Sequence, residues 1–130
     1  MSRISVPSWL ECLRCGSKYD LGKIRYTCDC GGLLDLTRDL GKIDGRKLRA
    51  IWDKRWGMKS GIESSGVWRY RELILDAPDS KIITKQEGNT RLYPAGKAGR
   101  YAGIGNFLLK HEGENPTGSF KDRGMTCGAT

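Results

Sequence analysis

The sequence predicts a small, β-rich, metal-stabilised module, followed by a basic helical linker and by the start of an α/β domain. Three observations support this fold class. Four cysteines form two close pairs near the amino end, and apolar residues recur with helical spacing from Leu48. A strand-like run at residues 107–111, which ends at His111, precedes a glycine-containing loop and a helix. We assign the module to residues 1–40, the linker to 41–81 and the α/β segment to 82–130.

The paired cysteines predict a structural zinc site in the first segment. Cys12 and Cys15 form one pair, and Cys28 and Cys30 form the second, with 12 residues between the pairs. Turns at this spacing can converge on one tetrahedral ion, and four thiolates leave no coordination position open for a substrate. So small a module can hardly fold on its apolar area alone. We therefore predict a zinc ribbon.

Four apolar residues between the two pairs are expected to form the short strands of the ribbon: Tyr19, Leu21, Ile24 and Tyr26. Two other interpretations of the cysteines remain open, namely four reduced thiols without a ligand, or a Cys-x-x-Cys redox pair. Cys127 lies far along the chain from the cluster, and we expect it to be a small core residue.

The linker contains a predicted helix. Leu48, Ile51, Trp52 and Trp56 recur every three or four residues, which places them on one helical face, and Gly57 is expected to end the helix.

The last segment contains a lysine at an unusual position. Ser119 followed by Asp122 approximates a capping box, which would begin a helix at Phe120 and place Lys121 in its first turn. The positive end of a helix disfavours an ammonium group, so burial there would favour the neutral amine, which can attack an aldehyde. The alternative is an exposed lysine in a basic patch with Arg123.

Four motifs, in this order, resemble the threonine synthase family of fold-type II pyridoxal-phosphate enzymes. They are the four cysteines, residues 68–73 (WRYREL), residues 87–90 (EGNT) and residues 115–124 (NPTGSFKDRG). The resemblance spans the whole chain. One departure is Arg91, because many members have proline after EGNT.

The resemblance implies that Lys121 binds pyridoxal phosphate covalently and then acts as a general acid–base. The implied reaction converts O-phospho-L-homoserine and water to L-threonine and phosphate; a related elimination or replacement reaction is the alternative within this class. In the family, the phosphate cup and the residue facing the pyridine nitrogen follow the lysine. The catalytic domain is thus expected to be incomplete here, and the 130-residue chain inactive by itself. Without the rest of the domain, we expect residues 82–130 to form a poorly ordered or aggregation-prone tail that exposes Phe107, Leu108 and Leu109. The whole enzyme could be a homo-oligomer.

Composition favours an anionic partner and a cytoplasmic location. The net charge is +8, hydrophobic residues make up 38% of the chain, and no apolar run is long enough for a membrane span. A zinc-ribbon module that binds nucleic acid or protein is the competing hypothesis, because residues 38–59 hold eight basic and three acidic residues with Trp52 and Trp56 among them. We expect a small phosphorylated amino acid rather than nucleic acid.

Overall fold

The computed structural model describes residues 4–41 and 43–130, which form two compact units. The units are Met1–Leu48 and Arg49–Thr130. Residues 49–81, expected from the sequence to be a linker, thus pack within the second unit. The division into 1–40, 41–81 and 82–130 stays a prediction. Among the described residues, no helix has the length and apolarity needed to cross a membrane.

The first unit is built on a three-stranded antiparallel sheet. The strands are β1 (Ser8–Cys12), β2 (Lys18–Tyr19) and β3 (Leu34–Arg38), in the order β2-β1-β3. Cys12, the last residue of β1, pairs with Leu34 at the start of β3. The sheet therefore places Cys12 beside the start of β3, a few residues after the second cysteine pair.

The strands predicted between the cysteine pairs are only partly correct. Tyr19 lies in β2, whereas Leu21, Ile24 and Tyr26 lie outside any strand and are exposed. The structure instead uses the residues before and after the cysteine cluster, in β1 and β3, as the main strands. Successive side chains of β1 and β3 alternate between the two faces of a small sheet. Residues 20–27, in contrast, contain Asp20 and Gly22, two residue types that favour turns.

The predicted helix of the middle segment is confirmed as α1 (Gly45–Arg55). Gly57 follows it with a φ of 85°, a left-handed conformation that favours glycine and ends the helix. Leu48 is buried, but Trp56 follows the helix and is 69% exposed, so the predicted common apolar face does not extend to it.

The second unit contains two further strands and two further helices. They are β4 (Leu92–Pro94), α2 (Gly96–Ala102), β5 (Leu108–Lys110) and α3 (Asp122–Ala129). The remaining helical segments are short 3₁₀ helices, at Ile62–Ser64, Trp68–Leu73, Asp79–Lys81 and Glu112–Glu114.

The strand predicted near His111 is confirmed, with shorter bounds, as β5, which pairs antiparallel with β4. Leu108 and Leu109 are exposed as expected. The same expectation for Phe107 is wrong, because its side chain is half-buried beside Gly99, where an added Cβ would lie 2.9 Å from the Phe107 Cβ.

A buried tryptophan connects the 3₁₀ helix Trp68–Leu73 to α3. Trp68 is 0% exposed, and its Nε1 donates a hydrogen bond of 2.9 Å to Thr126 Oγ1. The Thr126 hydroxyl in turn donates to the carbonyl oxygen of Ile83 at 2.6 Å. The segment expected to be a poorly ordered tail thus packs against residues that the sequence argument had assigned to a linker.

Candidate metal centre and lysine site

The four cysteines of the first unit converge as the sequence predicts. Their sulfur atoms all lie within 4.8 Å of one another. The Sγ atoms of Cys12 and Cys30 are 3.6 Å apart, and those of Cys15 and Cys28 are 3.5 Å apart. Zinc–sulfur bonds of about 2.3 Å in a tetrahedron require sulfurs about 3.8 Å apart. The donor set therefore fits one zinc ion with little movement of the side chains.

Backbone turns hold each pair in position. The Gly16 N–H donates to the Cys12 carbonyl at 2.9 Å, and the Gly31 N–H donates to the Cys28 carbonyl at 2.8 Å. Both glycines have positive φ, 71° and 74°, which allows the chain to turn back after each pair.

Gly32 is required for a different reason, namely the space beside the sulfurs. A Cβ added at this position would lie 2.7 Å from the Cys12 Sγ and 3.3 Å from the Cys30 Sγ. A side chain at this position would displace two of the four candidate ligands. In the sequence, Gly32 is only one of two adjacent glycines, and nothing there indicates this steric requirement.

Tyr19 lies against the cluster, a role that the sequence did not indicate. Its hydroxyl is 3.0 Å from the Cys28 Sγ, and this hydrogen bond is the largest of the contributions that lower the pKa of Cys28 to about 6. The guanidinium of Arg25 lies 4.1 Å from the centre of the Tyr19 ring and pairs with Asp29 at 2.7 Å. Because metals bind the thiolate, this hydrogen bond favours the metal-binding form of Cys28.

In the second unit, a buried carboxylate joins segments that are distant in sequence. Glu87 is 2% exposed, and its Oε1 accepts a hydrogen bond from the Ser65 hydroxyl. Its Oε2 accepts hydrogen bonds from the Thr84 hydroxyl at 2.9 Å and from the Lys85 N–H at 3.0 Å. The EGNT motif is thereby attached to the residues that precede WRYREL.

Two glycines allow the same segments to approach closely. The Gly66 N–H donates to the Glu87 carbonyl at 2.7 Å, and a Cβ added to Gly66 would lie only 2.3 Å from the Asn89 nitrogen and 2.7 Å from the Gly88 Cα. The Arg69 Nη2 then donates to the Asn89 Oδ1 at 2.7 Å. Backbone contact at this distance requires glycine.

The EGNT motif also contacts the lysine-containing segment. The Gly88 N–H donates to the Asn115 Oδ1 at 2.8 Å. Glu112 pairs with Arg123 at 2.7 Å and accepts a hydrogen bond from the Thr90 hydroxyl at 2.6 Å. The Arg123 guanidinium and the Thr90 hydroxyl lower the pKa of Glu112 to about 2. Three of the four motifs that the sequence singled out thus form one hydrogen-bond network.

Lys121 does not lie where the capping argument placed it. The helix α3 begins at Asp122, one residue after the lysine, and Lys121 is the N-cap residue. The predicted capping box is wrong. Ser119 Oγ accepts from the Lys121 N–H at 3.2 Å, and Asp122 instead accepts from the N–H and hydroxyl of Thr117. These local bonds compete with the reciprocal pattern of a capping box.

The Lys121 side chain is exposed. Its Nζ has no hydrogen-bond or ion-pair partner within residues 4–41 and 43–130. The burial that the sequence argument invoked is therefore not supplied by the described part of the chain, but the amine is accessible. The alternative, an exposed lysine in a basic patch with Arg123, is correct about the exposure of Lys121, whereas Arg123 itself is paired with Glu112.

His111 and Cys127, which the sequence analysis also named, both have structural contacts. The ring of His111 packs edge-on against Tyr93, with centroids 6.1 Å apart. Cys127 is half-buried, and its Sγ lies 3.7 Å from the Arg123 carbonyl oxygen.

No family model matches the sequence, but relatives of known name do. The threonine synthase of Methanocaldococcus jannaschii is 43% identical over 120 residues, which is 92% of this chain. That of Methanosarcina acetivorans is 41% identical over 93% of this chain. The chain is homologous to threonine synthases. Threonine synthase 2, chloroplastic, of Arabidopsis thaliana is 37% identical over 83% of this chain.

The alignment covers only part of each of these threonine synthases. The chain spans 28%, 27% and 22% of the length of the three relatives, in the order given. It thus matches about a quarter of a threonine synthase, which fits an amino-terminal fragment.

The metal centre predicts one zinc ion per chain, measured by elemental analysis of protein purified without chelator. Cys15→Ser should lose it. Gly32→Ala should weaken zinc affinity roughly 10–100-fold in a chelator competition, since the added methyl displaces ligand sulfurs. Gly45→Ala is the matched control, because no atom lies within 4 Å of its added Cβ. Zinc-free protein, or equal affinity in both glycine variants, would contradict this site.

The Glu112 network predicts a specific acid sensitivity. Because the folded pKa of Glu112 is lowered to about 2 from an unfolded value of about 4.3, its stabilisation is complete above roughly pH 5 and is lost as the pH falls toward 2. Glu112→Gln should therefore reduce the slope of unfolding free energy against pH in this window. The exposed Asp53→Asn serves as the control and should keep the native slope.

Proposed function

We propose that this chain is the amino-terminal part of a threonine synthase that converts O-phospho-L-homoserine and water to L-threonine and phosphate. The observation that carries the proposal is the homology to threonine synthases over 92% of the chain. The network around Glu87 supports it, because it brings the motif at 87–90 next to the segment that holds Lys121. We place the complete enzyme in the cytoplasm, with a homo-oligomer as a possible assembly.

Lys121 is the residue that would hold pyridoxal phosphate. Its exposed amine, free of partners in the described residues, fits attachment of an aldehyde. When bound, the cofactor supplies an electron sink for carbanions at the amino-acid carbons. The task of Lys121 is to move protons through its Nζ. Residues 117–122 fix the backbone on both sides of it through the bonds between Thr117 and Asp122.

The zinc ion has a structural function in this proposal. Its four candidate ligands are all cysteines, so a bound ion would have no open position for substrate. Two of the ligands, Cys12 and Cys28, are buried in a unit with few other buried apolar side chains. The metal would thus supply much of the folding free energy of the unit Met1–Leu48.

The competing nucleic-acid hypothesis has less support, because both candidate stacking residues have protein partners. Trp52 donates through Nε1 to Glu72 at 3.1 Å and packs edge-on against Tyr70, with centroids 5.1 Å apart. Trp56 is covered on one face by the Arg69 guanidinium. Binding to single-stranded nucleic acid that weakens steeply with salt would favour this competitor. A related elimination or replacement reaction would be distinguished from the proposed one by an amino-acid product other than L-threonine.

The catalytic role predicts that Lys121 is essential in a chimera that joins residues 1–130 to the remaining part of the Methanocaldococcus jannaschii relative. Lys121→Ala should reduce phosphate release from O-phospho-L-homoserine by several orders of magnitude, since the covalent link and the proton transfer are both lost. Lys97→Ala, an exposed lysine in α2, is the control and should keep native activity.

Borohydride reduction with added cofactor should label Lys121 in the chimera. A label on Lys85 or Lys110 would show that the assignment is wrong. The 130-residue chain by itself should release no phosphate from this substrate, because the groups that anchor the cofactor in the family follow the lysine.

A further inference from the structure

The unit Arg49–Thr130 contains a cleft that is lined by cations. Its volume is about 850 Å³, and none of the described residues that line it is acidic. Four basic residues line it: Arg69, Arg91, Lys110 and Arg123. Lys121 is not among the lining residues.

Arg69 is the unusual member of this group. It is 4% exposed, its Nη2 donates to the Asn89 Oδ1, and its guanidinium lies 4.3 Å from the centre of the Trp56 ring. Its Nε is shielded from solvent and has no hydrogen-bond partner in the structure. No carboxylate of the described residues forms an ion pair with it. A buried charge without a counterion is costly, which indicates that an anion belongs beside it.

Each of the other two cations has a carboxylate outside the cleft near it. Arg123 is paired with Glu112 at 2.7 Å. Arg91 lies near Glu114, whose pKa is lowered by hydrogen bonds from Tyr93 and from the Arg91 N–H and, to a smaller extent, by the Arg91 charge.

Lys110 is the second uncompensated cation. It donates through Nζ to the Thr90 carbonyl at 2.9 Å and has no carboxylate partner in residues 4–41 and 43–130. The cleft therefore has two positive charges, on Arg69 and Lys110, that no described carboxylate balances.

We propose that this cleft binds a phosphate monoester through Arg69 and Lys110. A phosphate monoester carries a charge of about −1.5 to −2 at neutral pH, which matches the two uncompensated cations. A guanidinium binds such an oxyanion in a fork geometry. Exposed apolar surface of Trp56 and Leu92 on the wall of the cleft is available to the organic part of the ligand. The site does not depend on the proposed reaction.

Inorganic phosphate is the probe for this site, titrated calorimetrically into the 130-residue chain at constant ionic strength held with chloride. One phosphate per chain should bind, and acetate should not displace it. Lys110→Gln should weaken phosphate binding about tenfold, since one of the two unbalanced charges is lost. Lys97→Gln removes the same charge outside the cleft and should leave binding unchanged.

Three results would overturn the proposal. They are no saturable phosphate binding, equal weakening in both lysine variants, and acetate binding as tight as phosphate binding. Arg69→Gln should abolish binding. Should this buried substitution unfold the chain, the comparison of Lys110→Gln with Lys97→Gln decides the question, because both lysines are exposed. Because the readout is phosphate affinity and not turnover, its failure would leave the proposed threonine synthase function untouched.

Discussion

The buried carboxylate of Glu87 is the interaction on which the second unit depends. Its oxygens accept hydrogen bonds from Ser65, Thr84 and the backbone of Lys85, and its carbonyl accepts the Gly66 N–H. These bonds fix residues 65–66 against the EGNT motif. From there, Gly88 and Thr90 reach the lysine-containing segment. The position of Lys121 is thus determined through a chain of polar contacts rather than through an apolar core.

A polar interior of this kind favours one specific fold, but it also makes that fold sensitive to substitution of the buried residues. The buried residues of the second unit include Ser64, Ser65, Arg69, Glu87 and Asn115, whereas its fully buried large apolar side chain is Trp68. Removing one member of such a network leaves buried partners without hydrogen bonds, which costs more than the net value of the bond itself. The first unit also has little buried apolar area, but there four thiols converge at one point.

Local patterns in the sequence were sufficient to predict the cysteine cluster, α1 and β5, because each depends on residues close together along the chain. Contacts between distant segments were not predictable. Ser65 and Glu87 are 22 residues apart, and nothing in the sequence around either residue indicates that Glu87 accepts a hydrogen bond from Ser65. The capping box failed for a local reason, since Asp122 accepts hydrogen bonds from the N–H and the hydroxyl of Thr117, five residues earlier.

The unfolding free energy of Glu87→Gln tests the central role of this carboxylate most directly. The amide would place a donor group against the hydroxyls and N–H groups that now donate to the carboxylate. We expect a loss of about 1–3 kcal/mol in chemical denaturation of the zinc-loaded chain, relative to the exposed control Asp53→Asn, which makes the same change in charge. Equal stability of the two variants would contradict the account.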